Sequence, residues 1–340
     1  AIRQYLAGGG YPGVVSYAFV DDQWDQDFAD NQHPIRLKNP LAAHMSVMRS
    51  TLIGGLIEIL QNNLNRKQSR VRVFEIARVF NKQANGECVQ NERIGGLMYG
   101  AIKPEQWGEP SRSADFYDIK ADVESLLAGQ TVECVKGSHP ALHPGRTAEI
   151  HLNGKVIGFV GELHPQWQQK YDLAQAPLLF ELDLDAVLAK DKAAYQTVSK
   201  FQAVRRDLAF TLPENTTHDE LLTALRSVKS QLIQEISVFD VYRGIGLPEN
   251  TKSMAVKVIL QDQESTLTDE VLEPLIAKLL KAAADAGAQD RAARDDAADA
   301  WRFRGRGARA ADAAEDLEVR GPGSHDAGPG AHRCHAQASV

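Results

Sequence analysis

The sequence predicts an α+β fold with a mainly antiparallel sheet. Strand-like and helix-like patterns alternate over residues 1–196, and Asn153-Gly154 separates two strand-like runs as a tight hairpin turn does. A second order of elements, βαββα, follows after residue 196. The two patterns together indicate two domains of different architecture.

Length and composition exclude several classes of protein. With 340 residues, 43% hydrophobic and 24% charged, the chain has enough apolar side chains for about two domain cores. No run approaches the ~18 apolar residues of a membrane span, and no secretory leader is expected. Three distant cysteines without a C-x-x-C favour a reducing cytoplasm. Because the net charge is −7, contact with nucleic acid would need a local patch.

The first domain, predicted over residues 1–196, contains most of the strand-like runs. These runs are 14–20, 71–80, 93–100, 147–152, 155–161 and 178–184. A helix is expected after Ser50-Thr51, where either hydroxyl could cap it, and Leu52, Leu56 and Leu60 continue one apolar stripe to Leu64. A second amphipathic helix is predicted over residues 118–127.

The second domain is predicted over residues 197–282. Its elements are a strand (207–212), a helix (218–229), two strands (232–242 and 253–261) and a helix (268–283). This order resembles a ferredoxin-like split βαβ fold that lacks only its last strand.

The remaining residues, 283–340, have a different composition. Of these 58 residues 18 are Ala and 7 are Gly, and few side chains could anchor a core. The segment is interpreted as a low-complexity tail, disordered or arising from a reading-frame change. An Arg/Gly-rich RNA-binding tail around 301–307 is the alternative, disfavoured because ten acidic residues outnumber eight arginines.

Common catalytic and metal-binding motifs are absent from the sequence. It contains no phosphate-binding loop, dinucleotide fingerprint, nucleophile elbow or H-E-x-x-H. His139 and His143 are four residues apart, but Pro140 and Pro144 exclude the helix that would align them on a metal. We expect them to be loop histidines.

Alternation in the second domain predicts one sheet face that the helices leave open. Side chains predicted to face the helices are Leu208, Phe210, Phe239, Val241, Met254, Val256 and Val258; those predicted on the open face are Ala209, Asp240, Tyr242, Ser253, Ala255 and Lys257. Such a face could stack an unpaired base and read its edge, with Arg205, Arg206 and Arg243 on phosphates. A solvated face with one exposed Tyr is the alternative.

Several co-linear stretches resemble a known family. They include "GYPGVVSYAFVD" (10–21), "NPLAAHMSVMRSTLIGGLIEILQNNLNR" (39–66), "VRVFEIARVF" (71–80), "DFYDIKADVESLL" (115–127), "HPALHPGRTAEI" (139–150), "RRDLAF" (205–210) and "FDVYRGIGLPENTKS" (239–253). In this order they are similar to the C-terminal part of the bacterial phenylalanyl-tRNA synthetase beta subunit. The resemblance covers roughly residues 1–282.

The resemblance implies a class II synthetase-like domain followed by a ferredoxin-fold anticodon-binding domain. It implies a cytoplasmic heterotetramer of two alpha and two beta subunits that binds tRNA(Phe). Ala209, Asp240, Tyr242 and Ser253 are then the expected anticodon contacts. ATP and Mg would be used by the whole enzyme, with no cofactor or metal in this chain.

The resemblance also favours a subunit interface in the segment that leads into the first predicted helix. The expected contact residues are Pro40, Leu41, Met45, Met48 and Arg49. Adaptable apolar side chains suit a large obligate contact, although the same residues could equally form internal core.

The first domain lacks the cationic residues that a class II synthetase needs. After Phe80 the chain reads Asn81-Lys82-Gln83 instead of an Arg-x-Glu that clamps the ATP α-phosphate. We therefore expect a non-catalytic copy of the fold, in which His143 and Arg146 shape a loop of the vestigial cleft. A stand-alone acyl-adenylating enzyme is the alternative.

Overall fold

A computed structural model describes residues 2–83, 85–130, 132–189 and 197–290 of the chain. Contacts divide the chain into two units, Ala1–Tyr195 and Gln196–Val340. Within the described ranges, no helix is both long and apolar enough to cross a membrane.

The first unit is an antiparallel sheet flanked by helices. Its helices are α1 (Ile2–Gly8), α2 (Asp22–Ala29), α3 (Ile53–Asn65), α4 (Phe116–Leu126), α5 (Pro165–Lys170) and α6 (Leu184–Leu188). Its strands are β1 (Phe19–Val20), β2 (Val47–Met48), β3 (Val71–Lys82), β4 (Cys88–Tyr99), β5 (Val132–Lys136), β6 (Leu142–Leu152), β7 (Lys155–Leu163) and β8 (Leu178–Asp183). Six of these strands form one sheet in the order β3-β4-β8-β7-β6-β5, and every neighbouring pair is antiparallel. The predicted α+β architecture is confirmed.

Local signals in the sequence explain two of the turns in this sheet. Asn153 and Gly154, between β6 and β7, have φ angles of 52° and 74°, which a tight hairpin turn requires and which Asn and Gly adopt most readily. At the end of β7, His164 caps α5 by accepting a hydrogen bond from the Gln166 amide, and Pro165 begins the helix.

One predicted strand is much shorter in the structure. Of residues 14–20, only Phe19 and Val20 form a strand, paired with β2. The Ser16 amide donates to the Glu75 carboxylate at 3.1 Å instead of to a neighbouring strand. A side chain far along the sequence therefore ends the ladder, and this could not be read from local alternation.

Apolar clusters cover both faces of the six-stranded sheet. On one face, side chains of α4 such as Ile119 and Val123 pack on Ile94, Ile150 and Phe180. On the other face, the buried side chains of α3 pack together with Val73, Leu97 and Leu179. Leu56 and Leu60 are fully buried, as the predicted stripe requires.

The second unit has the ferredoxin-like order of elements. It consists of β9 (Val204–Pro213), α7 (His218–Arg226), β10 (Ile233–Tyr242), β11 (Thr251–Leu260), α8 (Asp269–Asp285) and β12 (Gln289–Asp290). The strands form a sheet in the order β10-β11-β9-β12, and α7 and α8 pack against one face of it through a single apolar cluster.

The sequence predicts that the last strand is missing and that a separate tail begins at residue 283. For residues 283–290 this prediction is wrong. Helix α8 continues to Asp285, Ala283 and Ala288 are buried in the core, and Gln289 pairs with Thr211 of β9. Burial of small Ala side chains sets this boundary, whereas an Ala-rich composition alone suggested disorder. The rest of the predicted tail, residues 291–340, lies outside the described residues.

The beginning of α3 is anchored on a row of three sheet residues, Glu75, Gly95 and Glu181, which lie side by side on β3, β4 and β8. Glu181 Oε2 accepts hydrogen bonds from the Thr51 hydroxyl at 2.7 Å and from the Leu52 amide at 2.8 Å. A Cβ atom at residue 95 would lie 3.2 Å from the Leu52 side chain, so glycine permits the close approach of the helix.

Glu75, at the other end of this row, holds the chain that precedes α3. Its carboxylate accepts from the Ser16 hydroxyl at 2.6 Å and from Arg49 Nη1 at 3.1 Å. Arg49 and Glu75 are both buried, and Arg49 Nε also donates to the Arg78 carbonyl at 3.0 Å. Buried charges in proteins require such partners, and here the partners are supplied by three separate segments.

The buried carboxyl group of Glu181 predicts a pH dependence of stability. Burial raises the pKa of Glu181, although the hydrogen bonds from Leu52 and Thr51 act in the opposite direction. The folded state therefore retains a proton that the unfolded state loses at lower pH, and this contribution to stability is lost as pH rises from about 4.5 through the raised pKa. We expect Glu181→Gln, which keeps an acceptor oxygen, to gain stability relative to the parent protein across this window.

Urea unfolding of both proteins between about pH 4.5 and pH 7.5 measures this difference. The assignment would be contradicted if the difference in unfolding free energy between the two proteins were constant with pH. It would also be contradicted if Glu181→Gln lost stability relative to the parent as pH rises.

Candidate functional site

The sheet of the second unit has one face that α7 and α8 do not cover. Strand register places two rows of side chains on this open face. One row contains Asp240, Ala255 and Ala209, and the next contains Tyr242, Ser253 and Thr211. The predicted open-face direction of Ala209, Asp240 and Tyr242 is consistent with this register.

A β-bulge changes the direction of one side chain that alternation had assigned to the core. Val238 pairs with Val256 and Asp240 pairs with Ala255, so Phe239 is the extra residue on β10. Phe239 is 51% exposed and is outside the apolar cluster beneath the sheet. The prediction that Phe239 faces the helices is therefore wrong, because a bulge interrupts the period of two. Val241 pairs with Met254 as predicted but remains 41% exposed.

Ser253, a predicted anticodon contact, is buried. Its exposed fraction is only 5%, and it lies on the central strand between Tyr242 of β10 and Thr211 of β9. The prediction of an exposed hydroxyl is therefore wrong, and Thr211 beside it is buried as well. Period-two reasoning gives the direction of a side chain but not its height relative to its neighbours.

Asp240 and Tyr242 present different chemistry to the open face. Asp240 is exposed, and its carboxylate has no hydrogen-bond or ion-pair partner in the described part of the chain. Tyr242 is 40% exposed, and its hydroxyl donates to the Ile245 carbonyl at 3.1 Å. The Tyr242 ring is thus held in place, while Asp240 offers two unused acceptor oxygens.

The three arginines that were expected near this face are each paired with a carboxylate. Arg205 binds Asp207 through two hydrogen bonds of 2.7 and 3.0 Å. Arg243 binds Glu214 at 2.8 Å. Arg206 pairs in register with Val258, on the helix side, and binds Asp269 of α8 at 2.9 Å, so it does not border the open face.

In the first unit, β3 ends at Lys82, within the Asn81-Lys82-Gln83 stretch where the family resemblance implies an Arg-x-Glu in active synthetases. Gln83 closes the β3–β4 connection by donating its amide to the Glu87 carbonyl at 2.8 Å. Arg78, on β3 itself, forms an exposed ion pair with Glu92 of β4. Thr51, Leu52 and Leu56 of the α3 region occupy the sheet face over Gly95 and Glu181.

His143 and Arg146 lie within β6, where the pairing with β7 is irregular between Leu142 and Thr147, so the prediction that His143 is a loop residue is wrong. Arg146 Nη1 binds both oxygens of Glu162, at 2.9 and 2.7 Å. The Gly145 amide donates to His143 Nδ1 at 2.9 Å. His139 lies in the connection before β6, with its ring centroid 3.8 Å from that of Phe159, and burial lowers its pKa to about 4. No group of three or more His, Cys, Asp or Glu side chains among the described residues could hold a metal ion.

The predicted interface segment differs in exposure from residue to residue. Leu41 is 87% exposed, Pro40 is exposed, and Met45 and Met48 are half-buried. Arg49 is 4% exposed and bound to Glu75, so its guanidinium is unavailable to a partner and its assignment as an interface contact is corrected. The Glu75 carboxylate that binds Arg49 is 26 residues away, so the sequence near Arg49 does not indicate this pairing.

Other apolar side chains of the first unit are also exposed. Tyr17 is 66% exposed and Val15 is 92% exposed. A cavity of about 180 Å³ lies beside the segment, lined by Tyr17, Phe19, Trp24, His44 and Met45 among others. Val15 and Tyr17 fall within the strand predicted over residues 14–20, and alternation alone does not indicate that both are exposed.

Comparison with known proteins identifies both units. Residues 1–184 match the family described as phenylalanyl tRNA synthetase beta chain CLM domain, and residues 199–291 match the ferredoxin-fold anticodon binding domain. The chain is 68% identical over 289 residues to the phenylalanine–tRNA ligase beta subunit of Neisseria meningitidis serogroup B, covering 85% of this chain and 37% of that protein.

The corresponding subunit of Chromobacterium violaceum is 53% identical over 288 residues, with coverage of 85% and 37%. The chain thus spans 37% of the length of these curated relatives. A solved pyrrolysyl tRNA synthetase from Desulfitobacterium hafniense aligns at a TM-score of 0.41 and 13% identity, over 55% of this chain and 63% of that one. The match over residues 1–184 covers more than half of the sequence, and the chain belongs to the phenylalanyl-tRNA synthetase beta chain family.

Proposed function

We propose that this chain is a non-catalytic part of an ATP-dependent phenylalanine–tRNA ligase, which holds the catalytic alpha subunit and contacts the anticodon region of tRNA(Phe). The observation that carries the proposal is the open sheet face of the second unit, in an anticodon-binding family: there the exposed Asp240 carboxylate, without a partner among the described residues, lies two residues from the exposed Tyr242 ring. The expected assembly is a cytoplasmic heterotetramer of two alpha and two beta subunits.

The packing of the first unit on both faces of its sheet supports the non-catalytic character. Apolar clusters lie on both faces, and Glu75 and Glu181, the buried carboxylates over which α3 sits, are used for structure. Adenylate formation needs fixed cations around a triphosphate, and Arg78 and Arg146 already bind carboxylates. ATP and Mg²⁺ are accordingly assigned to the whole enzyme, with none held by this chain.

A phosphate-exchange measurement separates this proposal from a stand-alone adenylating enzyme. The purified 340-residue chain is expected to give no phenylalanine-dependent exchange of pyrophosphate into ATP above background. Addition of the alpha subunit and the rest of the beta subunit provides the positive control. Phenylalanyl-adenylate formed by the isolated chain would overturn the proposal.

The docking surface for the alpha subunit is proposed to include Leu41, Tyr17, Val15 and Met45. These side chains are apolar, and the first three are more than half exposed. Tyr17 and Met45 also line the cavity of about 180 Å³, and obligate subunit contacts are commonly built on exposed apolar side chains.

Leu41→Glu tests this surface without disturbing the core, because Leu41 is 87% exposed. A charge placed in an apolar contact is desolvated without a partner, so we expect at least about tenfold weaker association with the alpha subunit. Val198→Glu is the matched control, since Val198 is an equally exposed apolar residue of the other unit at 86%. Sedimentation and co-purification with the alpha subunit give the measurement, and equal assembly of the two variants would remove Leu41 from the interface.

Anticodon binding is proposed to use Tyr242 as a stacking surface and Asp240 as an acceptor for amino or imino groups on a base edge. Ala255 on β11 and Ala209 on β9 continue the row that begins at Asp240, and their side chains are short because each is a single methyl group. Stacking is tolerant of sequence, whereas the carboxylate distinguishes base edges by their donors.

Tyr242→Ala is expected to weaken binding of tRNA(Phe) by about 1–3 kcal/mol, the usual contribution of one stacked base. Amino-acid activation by the whole enzyme should remain close to normal, because no part of the second unit is proposed to touch the reacting groups. Tyr117→Ala, at a Tyr of the first unit that is 75% exposed, is the control for loss of an exposed ring. Filter binding of labelled tRNA checks the result, and an unchanged affinity for Tyr242→Ala would exclude Tyr242 from the site.

A further inference from the structure

The bulge in β10 places a second aromatic ring on the open sheet face. Phe239 is the unpaired residue of the bulge, it is 51% exposed, and it is not part of the core cluster. A large apolar side chain with half its surface in water contributes little to folding here. The bulge therefore presents a ring that regular alternation would have buried, which is typical of bulges beside functional sites.

Arg205 reaches this ring from β9, across the central strand. Its guanidinium carbon lies 5.2 Å from the centroid of the Phe239 ring, within the range of a cation–π contact. Asp207 holds the same guanidinium through two hydrogen bonds of 2.7 and 3.0 Å. Arg205 is thus fixed by a carboxylate and a ring, and these contacts leave it poorly placed to reach for phosphate.

The positions next to Phe239 are suited to a flat ligand. Ala255 and Ala209 lie beside the bulge on β11 and β9, and their methyl groups leave space above the sheet. Asp240, the next residue on β10, is an exposed acceptor without a partner among the described residues. RNA-binding proteins stack unpaired bases on aromatic rings and on the planes of Arg guanidinium groups. The Phe239 ring and the Arg205 guanidinium supply such surfaces here, beside two alanines and a carboxylate.

We propose that Phe239, positioned by Arg205 and the β10 bulge, is a second stacking site for an unpaired RNA base, separate from Tyr242. The inference rests on the proposed function of this face in binding tRNA and adds a specific contact to it. Arg205 acts in it as a positioning residue for the ring and not as a phosphate contact.

The first experiment measures binding of the full 340-residue chain to a synthetic RNA hairpin with the anticodon loop of tRNA(Phe). Phe239→Leu keeps an apolar side chain but removes the aromatic face, so affinity should fall about 5- to 150-fold, the fold-change that corresponds to one stacked base. Phe239→Trp and Phe239→Tyr keep a ring and should retain most of the affinity. Thermal unfolding is expected to be nearly unchanged in all three variants, because the side chain is half exposed.

A set of hairpins, each lacking the base of one loop nucleotide, identifies the stacked base. For one of these hairpins the parent chain and Phe239→Leu should bind equally, since the base that Phe239 contacts is already missing. With a different hairpin, the parent chain and Tyr242→Ala should bind equally, because the base that Tyr242 contacts is the missing one. A structural role of Phe239 would lower binding to every hairpin by the same factor, and that result would overturn the proposal.

The salt dependence of binding tests the role of Arg205. Arg205→Gln should lower affinity while leaving the slope of log K against log salt unchanged, whereas loss of a phosphate contact reduces that slope by about 0.7–1. A reduced slope would overturn the positioning role.

The outcomes for Tyr242 and Phe239 separate this inference from the broader proposal. If the parent chain does not bind the hairpin, the proposed function of the face and this inference both fail. If the parent binds and Tyr242→Ala weakens binding, but Phe239→Leu binds every hairpin as the parent does, only the second stacking site fails.

Discussion

The first unit depends on the attachment of one helix to one row of the sheet. Glu181 accepts hydrogen bonds from the Thr51 hydroxyl and the Leu52 amide. Glu75 binds Arg49 and Ser16. Gly95, between the two glutamates, lets the helix approach the sheet. Each carboxylate is buried, so each needs these partners in order to be tolerated. The geometry of α3, and with it one of the two apolar layers, follows from that constraint.

The same constraint bears on function, because groups that hold the structure together are no longer available for chemistry. The carboxylates under α3 are occupied, and Leu52 and Leu56 lie over the glycine between them. In the second unit the reverse holds. There, burial is completed on the helix side of the sheet, and Asp240, Tyr242 and Phe239 remain on the other side with polar or aromatic surface to offer.

Much of the architecture could be predicted from local patterns in the sequence. The leucine stripe of α3, the Asn153-Gly154 turn and the order of elements in the second unit all follow from periodicity and turn chemistry. The direction of Tyr242 and Asp240 could be predicted in the same way.

The remaining errors arise from contacts between distant residues. Arg49 was assigned to an interface because the carboxylate that binds it lies on another strand. Alternation predicts an exposed Ser253 because it gives the direction of a side chain and not how far other residues cover it. Phe239 was assigned to the core because a bulge is a property of two strands. Each case depends on tertiary pairing, which a local pattern does not contain.

The ion pairs around the anticodon-binding sheet also bear on the rate of encounter with RNA. Arg205, Arg206 and Arg243 each have a carboxylate at 2.9 Å or less, and the chain as a whole carries a net charge of −7. Little long-range attraction is left to steer a polyanion, so diffusional capture by this face alone should be slow compared with steered association. For the proposed contact with tRNA, this distribution of charge is suited to an RNA that is already held nearby, because a high local concentration then replaces electrostatic guidance.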